Sequence, residues 1–285
     1  MAKLLLGKEV TDALNGKLME RTAALREKGI VPTLAIVRCG ANPSDLSYEK
    51  GATKRAELVG VAVKKYELPE DVTKEALLAT IDEINADAAI HGVLMFRPLP
   101  KHLKADQDEI CNRLDPRKDV DGMTNGSNAG VFMGKELGFA PCTPAACMEI
   151  LDHYGIDCTG KKAVVLGRSL VVGKPAAMML DRENATVTLC NSRTQNLPDV
   201  CREADVVVVA MGKMGFIGAE HLRAGQVVVD VGIHVNEEGK LCGDVRFGEA
   251  EPVVEAITPV PGGVGTVTTS VLVSHVVEAA EKAAS

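Results

Sequence analysis

Chemistry in this sequence concentrates in one short run, KKAVVLGRSLVVGKPAAMML (161–180). A β-branched stretch closes on Gly167 and a helical pattern opens near Gly173, so the spacing reads as strand, glycine turn and helix. Such a turn lets the backbone approach a pyrophosphate, and the unpaired N–H groups of the helix start, with their partial positive charge, favour the anion. The spacing is Gly167-x-Ser169-x-x-x-Gly173, with Ser where the usual fingerprint has its second Gly. A glycine turn of any α/β domain is therefore the competing reading. About 20 residues on, an NAD site ordinarily carries Asp or Glu for the ribose hydroxyls. Here the second strand ends in Cys190-Asn191-Ser192-Arg193-Thr194, without an acid. The Ser192 hydroxyl and the cations there, with Arg168 as a second source of charge, suit a 2′-phosphate, because guanidinium and phosphate form charge-assisted forks. NADP is expected in preference to NAD, with a solvated surface loop as the alternative on these residues alone.

The elements that must carry this turn follow from periodicity. The first half alternates: a helix over about 8–28 ended by Gly29, a strand TLAIVR (33–38), a helix over about 47–59, a strand AVKKYEL (62–68), a helix over about 73–85 with Thr73 as N-cap, and a strand GVLMF (92–96). The second half repeats the architecture without repeating the sequence, through KAVVL (162–166), ATVTL (185–189), DVVVVA (205–210) and QVVVDVGI (226–233). Continuous β-branched runs of this kind suit strands buried on both faces of a parallel sheet. The expected fold is α/β with two domains and a cleft between them. Residues 1–140 form an N-terminal α/β domain, and 141–267 form a Rossmann-like, doubly wound parallel sheet. A final helix over about 268–282 is expected to bring the segment 268–285 back to the first domain.

Composition excludes several classes of function. A net charge of −7 and a pI near 5.5 leave no basic patch to compete for nucleic-acid phosphates. No apolar run approaches the roughly 18 residues that span a bilayer, so no membrane partner is expected. The start, MAKLLLGKEVTDAL, lacks an h-region and a small-residue cleavage site, and cytoplasm is the expected compartment. Eight cysteines (39, 111, 142, 147, 158, 190, 201, 242) are scattered without a C-x-x-C, and six histidines are equally dispersed. Reduced structural thiols are expected, and no metal site.

The same chain carries PSDLSYEKGATKRAELVG (43–60), PLP (98–100), KDVDG (118–122), PCTP (141–144), GRSLVVGKP (167–175), DVGI (230–233), GDV (243–245) and TPVPGGVG (258–265). In this order, over nearly the whole chain, these runs resemble the methylenetetrahydrofolate dehydrogenase/cyclohydrolases of the bacterial FolD type. The resemblance implies oxidation of 5,10-methylenetetrahydrofolate to the methenyl form with NADP, often followed by hydrolysis to 10-formyltetrahydrofolate, in one-carbon metabolism. It also implies a homodimer. It places Tyr48 on or beside the folate, Asp121 on the pterin edge, and the Pro259–Gly265 loop, with Gly262 and Gly263, near folate and nicotinamide. Gly167, Arg168, Ser169, Gly173, Ser192 and Ile233 are the expected cofactor contacts. An acceptor-only carboxylate at Asp121 can take paired hydrogen bonds from an aminopyrimidinone edge. On spacing alone, however, Asp121 reads as a turn residue before Gly122, Tyr48 as a packing residue, and the paired glycines as a tight turn.

Four departures from the family pattern bear on the second step. The family's Y-x-x-x-K lands on Ala52, and Lys50 and Lys54 stand off the Tyr48 face if the helix is regular. The family's Q-L-P-L-P is Phe96-Arg97-Pro98-Leu99-Pro100, Thr124-Asn125 replace His-Pro, and Thr266 stands where Pro follows the last Gly. Losing both the Lys and the Gln removes the polar groups expected to activate water. The expectation is a dehydrogenase with weak or absent cyclohydrolase activity. The alternatives are the full bifunctional enzyme, with Lys54 or Arg97 as replacement cation, and a catalytically silent folate- or nucleotide-binding protein.

Overall fold

The computed structural model describes residues 1–284, which divide into two units. One comprises Ala13–Cys142 with the chain from Thr269 onward; the other comprises Met1–Asp12 with Thr143–Thr268.

In the first unit three parallel strands lie in the order Ala62–Leu68, Thr33–Cys39, Gly92–Met95. Helix Lys74–Ala86 packs on them through Leu77, Ile81 and Ile84, whose three- and four-residue spacing puts them on one buried face. Thr73 starts that helix by accepting from the Ala76 N–H at 3.2 Å. The helix Pro43–Leu58 begins four residues earlier than its apolar pattern suggests, because Asn42 Oδ1 accepts from Ser44 N at 2.9 Å and Pro43 fits the first turn. The final helix runs Val264–Ala283. His275 Nδ1 on it lies 2.8 Å from the Val120 carbonyl, and Arg21 forks onto Glu281 at 2.9 and 2.7 Å. Gly92 allows Val120 to lie close to the strand: a Cβ there would stand 2.6 Å from Val120 Cγ1. That packing fixes the segment ending in Asp121.

The second unit is a six-stranded parallel sheet in the order Lys3–Leu4, Ala256–Ile257, Val227–Asp230, Val206–Val209, Lys162–Leu166, Thr186–Cys190. Val206–Val209 is buried throughout, as its unbroken valines require. Chain order reverses direction between Lys162–Leu166 and Val206–Val209, and the crevice beyond the carboxyl ends of two such strands is where doubly wound sheets bind ligands. Contrary to an unbroken first domain from residue 1, Met1–Asp12 joins this unit, since Lys3–Leu4 pairs with Ala256–Ile257. A strand of two residues is too short to show a hydrophobic period.

All eight cysteines are free, and six of them are buried. Among the described residues no helix is long and apolar enough to cross a membrane, and no group of three His, Cys, Asp or Glu side chains could hold a metal ion.

Candidate functional site

Gly167 follows directly on strand Lys162–Leu166 at φ +118°, and a Cβ there would stand 2.1 Å from the Ala210 carbonyl oxygen. Gly173 opens helix Gly173–Arg182, and its Cβ would stand 2.0 Å from the Gly167 oxygen. Both positions exclude any side chain, so the turn folds tightly on itself. Ser169, at the place of the missing glycine, accepts from Val172 N at 3.1 Å and from Gly173 N at 3.4 Å. Its hydroxyl closes the start of the helix from within. A cavity of about 430 Å³ elsewhere in this unit has no relation to the turn; the one that does measures about 160 Å³. Gly167, Arg168, Asn191, Ser192, Met211 and Lys213 line it, and no carboxylate does. Arg193 is exposed and does not line it.

Lys213 carried no sequence signal, because the loop after Val206–Val209 matches no fingerprint. The structure shows why it is held there. Buried Asp244 accepts from Met211 N at 2.6 Å, Gly212 N at 2.9 Å and Lys213 N at 2.7 Å, and lies 2.7 Å from His234 Nε2. Asp230 in turn accepts from Gly232 N at 2.9 Å, Asp244 N at 3.1 Å and Val245 N at 3.0 Å. Burial pushes its carboxyl up to about 6, and the three donors hold it back from going further. The runs DVGI and GDV, nine residues apart in sequence, are thus one knot beneath the loop 211–213.

A third cavity, of about 230 Å³, brings Ile233 together with Pro259, Gly262 and Gly263. Gly262 sits at φ +104°, and a Cβ on Gly263 would stand 2.6 Å from the Pro259 oxygen. Thr266 donates its N–H to the Gly263 carbonyl at 3.0 Å, a bond that a Pro could not make.

In the other unit, Tyr48 is half-buried on helix Pro43–Leu58 and meets Phe96 edge-on, with ring centroids 6.0 Å apart and an interplanar angle of 87°. Ala52, one turn on, is wholly buried, while Lys50 and Lys54 are exposed. Arg97 donates through Nη2 to Asp121 Oδ2 at 3.1 Å. Burial pushes the Asp121 carboxyl up, and the Arg97 guanidinium pulls it back down. The turn that could have explained Asp121 is built by a neighbour instead. Asp119 accepts from Met123 N at 3.0 Å, Thr124 N at 2.7 Å and Ser127 Oγ at 2.6 Å, and Thr124 caps helix Asn125–Met133. Asp121 makes none of those turn bonds. The pairing of Arg97 with Asp121 leaves no trace in the sequence, since 24 residues separate them.

Residues 5–121 match the family described as tetrahydrofolate dehydrogenase/cyclohydrolase, catalytic domain, and residues 141–284 match its NAD(P)-binding domain. A protein of Carboxydothermus hydrogenoformans named bifunctional protein FolD is 54% identical, over 99% of this chain and 98% of its own. The crystal structure of the bifunctional FolD dehydrogenase/cyclohydrolase from Campylobacter jejuni aligns with a TM-score of 0.95 and 39% identity, covering 99% of each chain. The FolD of Trypanosoma brucei, solved with NADP cofactor and an inhibitor, aligns at 0.91 with 34% identity over 99% of this chain and 98% of its own.

Proposed function

Because the chain belongs to the tetrahydrofolate dehydrogenase/cyclohydrolase family, we propose that it oxidises 5,10-methylenetetrahydrofolate to the 5,10-methenyl form with NADP. The observation that carries this reading is the turn from Gly167 to Gly173, two positions with no room for a Cβ, beside a cavity where Arg168, Ser192 and Lys213 stand without a carboxylate. The glycines leave backbone open to a pyrophosphate, and the two cations and the hydroxyl fit a 2′-phosphate better than a bare ribose diol. When bound, NADP supplies the hydride acceptor. The residues of this chain bind and orient: Gly167, Arg168 and Ser192 from the cavity lining, Ser169 and Gly173 from the turn that adjoins it, Ile233 with Pro259, Gly262 and Gly263 from the third cavity, and Tyr48 and Asp121 on the folate side. Hydride transfer needs position more than acid–base help, which is why no titrating residue is required for this step.

The second step is read from the relatives and from Arg97 together. Near-full-length relatives are named bifunctional, which supports a retained cyclohydrolase over the loss expected from Ala52 and Phe96. Of the replacement cations, Lys50 and Lys54 are exposed, whereas Arg97 stands at Asp121. A guanidinium does not trade protons, so its contribution is electrostatic, orienting water and stabilising developing charge. The reaction takes place in solution, in a homodimer with no nucleic-acid partner. The test follows NADPH formation and methenyl decay in one cuvette. Absence of NADPH overturns the dehydrogenase reading, and methenyl decay at the spontaneous rate overturns the bifunctional one.

A further inference from the structure

Arg97 lies two residues beyond strand Gly92–Met95, on a segment that Phe96 ties to the sheet by donating its N–H to Val37 O at 3.0 Å. Its position is therefore set by the sheet. A guanidinium offers five N–H donors in one rigid plane. Among the described residues Arg97 uses a single one, Nη2–H to Asp121, while its Nε is buried without a hydrogen-bond partner. Leaving such donors unanswered in a half-buried place is costly, so an under-bonded guanidinium held rigidly calls for an acceptor from outside the fold. The side chains of Arg97 and Asp121 are 24% and 21% exposed, so a ligand can still reach both. Phe96, the neighbour of Arg97 in the chain, meets Tyr48 edge-on.

We propose that Arg97 is a specificity-determining residue that reads the 4-oxo group of the pterin while Asp121 reads the adjoining N–H groups. The inference rests on the folate reading above and deepens it. An acceptor-only carboxylate beside a donor-only guanidinium matches an edge that presents two donors followed by an acceptor. The aminopyrimidinone edge has that order: the 2-amino group and N3–H face the carboxylate, and the 4-oxo oxygen faces the guanidinium. A 4-amino pteridine reverses the last two positions, setting a donor against Arg97 and removing the N3 proton that Asp121 accepts. Sites that hydrogen-bond one such group reject the analogue lacking it far more strongly than apolar pockets do.

The experiment compares binding of folic acid and its 4-amino analogue to the full chain with NADP present, by calorimetry, in wild type, Arg97→Leu and Arg97→Lys. Wild type should prefer the 4-oxo ligand by tenfold or more, on the order expected for a charge-assisted bond. Arg97→Leu should compress that preference severalfold through loss of 4-oxo affinity, leaving NADP binding unchanged. Arg97→Lys, which keeps the charge and most of the packing, should retain part of the preference even if the leucine variant folds poorly. An equal loss of both pterins in Arg97→Leu confines Arg97 to steadying Asp121 and overturns the proposal, as does an unchanged preference. A wild-type protein that binds NADP but neither pterin overturns the folate reading itself.

Discussion

Replacing Gly167 with Ala isolates the geometry on which the cofactor reading depends. The new Cβ would stand 2.1 Å from the Ala210 carbonyl oxygen, against an ordinary contact of about 3.5 Å, so the turn must retreat by more than about 1 Å. It cannot retreat toward the helix, because the Gly167 carbonyl already occupies the space a Cβ on Gly173 would need. A non-glycine residue at φ +118° adds backbone strain of about 1–3 kcal/mol. A displacement of this size in a positioning loop costs on the order of 100-fold in productive binding or rate. Calorimetric titration should therefore show NADP affinity falling by one to two orders of magnitude, with a melting temperature lower by a few degrees. Gly155→Ala is the matched control: φ is +68° there, but a Cβ meets nothing within 4 Å. It should lose comparable stability while keeping NADP affinity. Unchanged NADP affinity in Gly167→Ala would refute the reasoning, since the turn would then not be where the dinucleotide binds.

Three further outcomes follow from the same structure. Arg168→Ala and Ser192→Asp should each weaken NADP about tenfold or more while hardly touching NAD, measured as Kd for both cofactors; equal losses would show that neither side chain reads the 2′-phosphate. Glu49, 6% exposed, is clamped between Arg38 at 2.9 Å and Lys65 at 2.6 Å. Arg38 also holds Glu67 at 2.6 Å, so Glu49→Gln removes one of its two carboxylates, and denaturant titration should register a loss of about 1–3 kcal/mol; no measurable loss would mean that water already reaches the pair. Asp230, raised to about 6 by burial, holds its proton more tightly in the folded chain than in the unfolded one. That stability is fully present below about pH 4 and is lost as pH rises through the folded value, by up to about 3 kcal/mol. The advantage of wild type over Asp230→Asn in thermal melts should accordingly shrink between pH 4 and 7, and a constant gap would contradict the shift.

The long elements were legible because their patterns are strong. Unbroken valines at 206–209 and the alternation of Leu77, Ile81 and Ile84 leave little choice between strand and helix. Short pieces escaped: Lys3–Leu4 and Ala256–Ile257 each contribute two residues, and nothing in two residues has a period. At the site, glycines could be read because a missing Cβ is visible in the sequence. Gly167, Arg168 and Ser192 do share a cavity, as do Ile233, Pro259, Gly262 and Gly263. Lys213 and the Arg97–Asp121 pair could not be read, because each depends on contacts between segments that only the fold brings together. Asp244 is a sharper case. GDV could be quoted as a marker, but its task, gathering three successive amides 31 to 33 residues away, is invisible without coordinates.

The interleaving of the two units along the chain has a consequence for synthesis. The sheet that receives Lys3–Leu4 at its edge is finished only when Ala256–Ile257 has been made, and the three-stranded unit waits for the helical residues beyond Thr269. A ribosome adding about 5–20 residues per second delivers most of Ala13–Cys142 well before the helix that covers it. For that interval the apolar surface meant for Leu272, Val273, Val276 and Val277 has no cover. Neither unit is a contiguous segment that can be cut out and expressed whole: a fragment of 143–268 lacks its edge strand, and one of 13–142 lacks its last helix. Folding of both units is therefore committed only once the stretch from Ala256 through helix Val264–Ala283 has been made.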